Sequence, residues 1–389
     1  VRSYFADLHI HLGATLSGKP VKITASKSMT LTRVLEEAAD VKGLDLIGVI
    51  DCHVPEVLAE LEQLKEKGEL VETDQGILCY KDKISLIVGS EIEIYDENCK
   101  GPIHILAYIP SINIMKQFSN WLKERITNIT LSTQRIYVDG RTLQQQIKDL
   151  GGLFIPAHVF TPFKSVYGKG VNKSVSEVFD IDNIDGIELG LSSDTLMASR
   201  VRELEYFSFL TNSDAHSLGN IAREYQKMKM DKPSFFELMK ALKNEEGREI
   251  ECNYGLNPLL GKYHETTCER CFEPFNKSFP FCQKCGHGSF IKGVSERIDE
   301  LADTSSMKIK RKRPPYVHQI PLHFIPTLGP KTLEKLRLYF GTEMNIMHYV
   351  SKEQLENVVT KKIAEYIILA REGKLVLQTG GGGKYGKVK

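Results

Sequence analysis

The chain has 389 residues, too many for one ordinary domain and enough for two or three. Its 41% hydrophobic and 26% charged residues are those of a globular protein, and no apolar run approaches the roughly 20 residues that span a bilayer. With no charged-then-apolar leader before the first apolar run, the expected location is the cytoplasm, as a monomer with no membrane partner.

Seven apolar runs in the first 216 residues read as strands: Tyr4–Ala6, Leu46–Ile50, Ile84–Val88, Ile103–Tyr108, Leu153–Ala157, Gly186–Leu189 and Phe207–Leu210. Amphipathic stretches between them, Leu31–Val41, Pro55–Lys67 and Leu143–Leu150, have helical spacing. Strands alternating with helices predict an α/β protein with a largely parallel sheet. Almost every run touches a residue of metal-binding type. His9 and His11 follow the first, and Asp51, Glu91 and His158 follow later ones; Asp214 and His216 come after the last. Alternate residues at a strand end point the same way, so His9 and His11, or Asp214 and His216, can converge on one site. His104 precedes its strand, so a hairpin must bring it to Glu91.

Eight cysteines divide into scattered Cys52, Cys79, Cys99 and Cys252 and a cluster, Cys268, Cys271, Cys282 and Cys285. Two Cys-x-x-Cys pairs ten residues apart form a four-thiolate arrangement for one structural zinc, closed to water. Beyond it come a helix over Val294–Ala302 and a basic run ending in Pro314-Pro315, where Lys310 and Arg311 are candidate phosphate contacts. A helix then opens at Leu328-Gly329-Pro330-Lys331 and runs through Tyr339; a further helical segment spans Ser351–Arg371, before a glycine-rich basic tail. Charge divides along the same line. Residues 1–290 carry 33 Lys and Arg against 40 Asp and Glu, a net −7, whereas residues 291–389 carry 18 against 10, a net +8. An acidic portion suited to cations thus precedes a basic one suited to a polyanion. Expected units are 1–250, 251–292, 293–317 and 318–389.

Imidazoles and carboxylates holding two or three divalent ions suit phosphoester hydrolysis, since such ions activate water and neutralise phosphate charge. Zinc, manganese, iron and magnesium all accept such mixed sites. The motifs Asp7-Leu8-His9-Ile10-His11, Gly89-Ser90-Glu91, Pro156-Ala157-His158 and Asn212-Ser213-Asp214-Ala215-His216 resemble those of the polymerase and histidinol phosphatase (PHP) phosphoesterases. The resemblance implies a distorted (β/α)7 barrel with His9, His11, Glu91, His104, His158, Asp214 and His216 as ligands, and with Glu91, His158 and Asp214 carrying catalysis. The second motif departs from the usual pattern: in Ile50-Asp51-Cys52-His53 either Asp51 or His53 could bind, Asp51 being better placed at the strand end. Ser17-Gly18-Lys19 also lacks a carboxylate that the first motif usually supplies.

The succession of barrel, four-cysteine module, basic linker and helical end resembles the endonuclease Q family. It implies a DNA partner bearing deaminated or abasic lesions, cut 5′ to the damage. Gly329, Lys331 and Lys335 resemble a helix-hairpin-helix phosphate contact, with backbone N–H groups at a helix start. A base read by its altered edge must leave the stack. Phe160, Phe163, Lys164, Tyr167 and Lys169, in the loop after His158, are the candidate grip on the flipped nucleotide.

Overall fold

The computed structural model describes residues 1–276, 278–302, 312–378 and 387–388. Its strands through His318 are, in chain order, β1 (Arg2–Ile10), β2 (Leu46–Val49), β3 (Leu70–Glu72), β4 (Leu78–Tyr80), β5 (Ile84–Ile94), β6 (Ile103–Ile109), β7 (Arg135–Ile136), β8 (Leu153–Pro156), β9 (Ile187–Glu188), β10 (Phe209–Leu210), β11 (Tyr225–Met230), β12 (Glu249–Gly255), β13 (Thr267–Cys268), β14 (Phe290–Ile291) and β15 (Tyr316–His318). All except β9, β10, β13 and β14 join one eleven-stranded sheet. From Phe5 onward β1 is wholly buried, so the polar Asp7 and His9 within it each require a partner.

Parallel pairing links β1 to β2 and β2 to β5. Beyond these, parallel pairing in the sheet is confined to the short contacts of β5 with β7 and β12 with β15. β5 pairs antiparallel with β6, and β6 with β8, while on the other side β1–β11–β12 is also antiparallel. The reason lies in the connections: an antiparallel pair needs only a short link, such as residues 95–102 between β5 and β6, whereas a parallel pair needs a crossover. Beyond β8 the chain curls back. The Val159 N–H donates to Glu188 O (3.0 Å), β9 and β10 pair in parallel, and Ala215 bridges Ile10 at the end of β1. This curl carries the ends of β1, β5, β6 and β8 and the segment 212–216 toward one another.

Helices α1 (Leu31–Glu36, continued by a π-helical turn Glu37–Lys42), α2 (Pro55–Glu66), α3 (Ile112–Lys123), α4 (Gly140–Asp149), α5 (Thr195–Ala198) and α6 (Phe235–Lys243) flank the strands. Side-chain caps fix several starts: Ser111 accepts from the Ile114 N–H, Asp139 from Thr142 and Ser234 from Glu237. Two apolar clusters fill this unit, and α7 (Val294–Leu301) adds Val294 and Ile298 to the larger of them. The expected boundary at 250 falls inside β12, β15 pairs with that strand and α7 packs on the larger cluster, so this core extends past the early residues.

A third cluster, including Leu256, Ile320, Leu336, Ile346 and Ile367, is the core of the C-terminal unit of α8 (Pro330–Phe340), α9 (Glu343–His348), α10 (Lys352–Glu356) and α11 (Lys361–Arg371). The segment expected as one helix over Ser351–Arg371 is therefore two. Thr360 starts the second by accepting from the Ile363 N–H, and α9 is an addition the reading lacked. The unit is pinned to the eleven-stranded sheet and its helices by the nearly unexposed Lys42–Glu343 pair (2.9 Å) and by Phe5 stacked on His348 at 4.5 Å. The chain leading into β15 is anchored by Arg313, whose guanidinium lies 3.6 Å from the Phe209 ring and donates to Leu204 O at 2.8 Å.

Candidate metal centre

Two groups of donors meet where the strands converge. His9, His11 and Asp214 form one: Asp214 Oδ1 lies 3.3 Å from His9 Nε2 and 3.5 Å from His11 Nε2. Glu91, His104 and His158 form the other, with Glu91 Oε1 3.1 Å from His104 Nδ1 and 3.3 Å from His158 Nε2. Glu91 joins the two, since its other oxygen is 3.3 Å from His11 Nε2. His104 arrives through the antiparallel β5–β6 register, in which Glu93 opposes His104 and Glu91 opposes Leu106.

These separations fit a cation. Four ligands at the usual 2.0–2.1 Å around one ion stand about 3.4 Å apart in a tetrahedron. Buried His9 Nε2, His11 Nε2 and Asp214 Oδ1 have no hydrogen-bond partner among the described residues, an arrangement that is costly unless a ligand satisfies it. His158 (φ 32°), Asp214 (φ 47°) and Thr133 (φ 54°) all sit in left-handed backbone, and such strain concentrates at functional sites.

The remaining nitrogens are aimed from behind. Glu188 Oε1 accepts from His9 Nδ1 at 2.8 Å, and Asp51 Oδ2 lies 3.1 Å from His11 Nδ1. Glu188 is itself held by Asn212 Nδ2 (2.9 Å) and the His158 N–H (2.8 Å). Burial opposes charge on His9, but Glu188, Asp214 and Glu91 together push it up to about 10. Glu91 is buried and Asp214 partly so, which works against ionisation. His104 and Lys22 nevertheless hold Glu91 well below the ordinary carboxylate range, and His9 and His216 do the same for Asp214. The site is thus an array of anionic oxygens and histidines whose protons a divalent ion would displace.

The structure brings neither Asp51 nor His53 into the two donor groups. Asp51 is taken by His11, the Leu12 N–H and the Ser132 hydroxyl, while His53 has both nitrogens engaged, Nδ1 with Ser90 Oγ (2.9 Å) and Nε2 with Leu131 O (3.2 Å). His216 lies at the mouth, its ring 4.6 Å from that of His11.

The cysteine module closes on itself. Cys268 and Cys285 Sγ atoms are 3.6 Å apart, Cys271 and Cys282 3.5 Å, near the roughly 3.8 Å edge of a tetrahedron with 2.3 Å zinc–sulfur bonds. β13 and β14 pair beside it, and Phe272 and Gly286 take left-handed backbone just after each Cys-x-x-Cys.

Other candidate residues fare differently. Phe160 and Tyr167 are not available to a base: both are fully buried, stacked on each other at 5.3 Å, with the Tyr167 hydroxyl donating to Glu203 at 2.6 Å. Their rings are core residues because the loop folds inward at Val159–Phe160 and Val166–Tyr167. Phe163 stays partly exposed, with Lys169 5.2 Å from its ring, and Lys164 pairs with Glu93 at 2.9 Å. Gly329 is the N-cap of α8, and Lys331 and Lys335 are both exposed, Lys335 also donating to Val358 O (2.8 Å). Lys310 and Arg311 lie outside the described residues.

Sequence reading missed Glu188, Lys22, Ser132 and Thr133; a lone acid in apolar Ile187-Glu188-Leu189 was the one available signal. It also missed a cavity of about 440 Å³ beside the donors, lined by His158, Thr161, Gly190, Ser192, Arg223 and Tyr263 among others.

A mixed α/β fold with clustered histidine and carboxylate donors and a separate four-cysteine module gathers the ligand types of divalent-metal sites. No family model matches the chain. It is similar (31% identity, all of this chain and 95% of the other, TM-score 0.85) to the lesion-specific endonuclease PfuEndoQ of Pyrococcus furiosus, and therefore belongs to the endonuclease Q family. A second endonuclease Q structure, in complex with a 27-mer duplex substrate with an abasic lesion at the active site, matches at 30% identity over all of this chain and 96% of that one, TM-score 0.84. Among curated relatives, the uncharacterized protein YqxK of Bacillus subtilis (strain 168) is 54% identical over the whole of both chains. The uncharacterized protein MJ0043 of Methanocaldococcus jannaschii is 35% identical over 282 residues, 65% of this chain and only 34% of that protein.

Proposed function

We propose that this protein is a DNA repair endonuclease that hydrolyses the phosphodiester 5′ to a deaminated base (uracil, hypoxanthine or xanthine) or an abasic site, leaving a 3′-hydroxyl and a 5′-phosphate. The observation that carries the reading is the full-length likeness to a lesion-specific endonuclease, combined with two donor groups that share Glu91.

His9, His11 and Asp214 hold one ion in this reading, and Glu91, His104 and His158 hold a second next to it; His216 completes the mouth of the site. The ions, of zinc, manganese, iron or magnesium, lower the pKa of water and offset phosphate charge when bound. Glu188 and Asp51 keep the His9 and His11 rings turned inward, which suits an orienting role for Asp51 rather than a ligating one. Cys268, Cys271, Cys282 and Cys285 hold a structural zinc.

The extruded nucleotide enters the 440 Å³ cavity, which opens directly onto His158, Asp214 and His216 and whose size suits a small organic group. A pocket that hydrogen-bonds the carbonyl and ring N–H of a deaminated base rejects adenine and cytosine, because like groups would face each other. Phe163, with Lys164 and Lys169 beside it, borders the entry. Exposed Lys331 and the backbone at Gly329 contact the duplex phosphates farther along.

Duplexes carrying one uracil, hypoxanthine, xanthine or abasic site test this. The expected product is one internal cut 5′ to the lesion, absent from undamaged DNA, with Asp214→Ala removing cleavage and leaving duplex affinity largely intact. Stepwise shortening from a 3′ end, or equal cutting of undamaged duplex, would overturn the reading.

A further inference from the structure

We propose that Lys22 is a catalytic residue: its ammonium binds a non-bridging oxygen of the scissile phosphodiester and stabilises the charge that builds there as the phosphorus–oxygen bond breaks. The inference rests on the phosphodiesterase reading of the metal centre, though not on lesion specificity.

Lys22 Nζ lies 3.2 Å from Glu91 Oε2, on the carboxylate that joins the two donor groups, and donates to Thr133 Oγ1 at 2.5 Å. Its side chain is only 15% exposed. A cleft of about 340 Å³ runs from Lys22 past His11, His104, His158, Asp214 and His216, so the ammonium opens onto both groups at once. The position is built. The Ser132 N–H donates to Val21 O at 3.0 Å, and Thr133 Oγ1, donating to Glu91 Oε2 at 2.6 Å, is held in left-handed backbone that a β-branched residue adopts at a cost.

A fixed cation at a centre for divalent cations is a conflict if its only task is to neutralise Glu91. It repels the ions and competes for the same lone pairs. The conflict disappears when the substrate is anionic. With Glu91 given over to ions, an ammonium still held by Thr133 faces the cleft as a donor for phosphate, where preorganised charge acts in a partly dry site. Lys164 does not duplicate it, since it is half exposed and paired with Glu93.

The test uses the full chain saturated with manganese, with bis(4-nitrophenyl) phosphate and an abasic duplex as substrates. Removing one such donor typically costs 10²- to 10³-fold in kcat. Lys22→Met should therefore lower kcat about 100-fold or more on both substrates with bound metal undiminished, and weaken binding of inorganic phosphate to the manganese-loaded protein about tenfold. Lys22→Arg should recover most of both losses. Lys22→Met with kcat within twofold of wild type overturns the proposal and leaves Lys22 as a counter-charge to Glu91. A loss cured by raising manganese overturns it in favour of a metal-holding role. Wild-type protein that hydrolyses neither substrate overturns the phosphodiesterase reading itself, and this inference with it.

Discussion

A histidine offers a metal one nitrogen, so what the other nitrogen meets decides where the first points. For His9 that partner is Glu188, buried and bonded at 2.8 Å. Loss of such a partner typically costs 10- to 100-fold in metal affinity. Glu188→Gln keeps the shape and removes the charge. Metal affinity of the centre should fall by about that factor, with activity recovering at high metal. Unchanged affinity would show that packing alone orients His9. Most of the candidate ligands were legible because they stand at the ends of apolar runs, with His9 and His11 or Asp214 and His216 at the two-residue spacing that puts side chains on one side. Glu188 and Lys22 carry no such spacing; they reach the site through the curl of the sheet and through a turn stabilised from residues 132–133, neither of which has a local signature. The misreading of Phe160 and Tyr167 has a similar origin, since aromatic content does not say which side of a loop packs inward.

Among the elements, the cysteine module shows how a short segment without a core of its own affects a distant site. Its two ends meet: the Val294 N–H donates to Tyr263 O at 2.8 Å, and Gly293 packs so closely on Glu265 and Thr266 that a Cβ there would lie 2.4 Å from the Glu265 carbonyl carbon. Tyr263 and Lys262 wall the 440 Å³ cavity, while Arg297 of α7 donates to Tyr167 O at 2.7 Å and Asn172 O at 2.6 Å, fastening the loop after His158. A four-thiolate site supplies folding free energy outright, so Cys271→Ser should unfold the module locally. Cleavage of lesion duplex should then fall at least tenfold, with hydrolysis of bis(4-nitrophenyl) phosphate at the metal centre nearly unchanged. Parallel loss of both would show that the module supports the metal centre itself. The gathering of the four cysteines was readable because their spacing is a chemical constraint within the sequence. Sheet direction was not, because a run such as Ile103–Tyr108 looks the same whether its neighbour runs with it or against it.

For the molecule as a whole, the contact between the C-terminal helices and the sheet determines whether the exposed Lys331 end keeps a fixed distance from the metal centre. His348 lies in that contact, stacked on Phe5 at 4.5 Å, with its ring 4.8 Å from that of Tyr254 and its Nε2 2.7 Å from the Tyr225 hydroxyl. Burial depresses its pKa to about 4, and Lys227 and Arg371 push in the same direction. A free histidine titrates near 6.5, so the undocked state takes up the proton first. Docking is therefore at full strength above about pH 6.5 and weakens as pH falls toward 4. The full shift corresponds to about 3 kcal/mol, and solvent reaching the half-buried ring reduces it to the order of 1–2 kcal/mol. Asp7, raised by burial to about 6, stabilises the sheet in the opposite sense over the same range, so global melting would blur the effect. Hydrogen exchange resolved to α9 and β1 is the suitable measure: exchange in α9, corrected for its intrinsic pH dependence, should speed up between pH 7 and 5 while the β1 core does not. His348→Gln should flatten that response, because glutamine has no proton to gain. A response that persists in His348→Gln would assign the pH dependence to another group, and the Lys42–Glu343 pair on the same contact would be the next to examine.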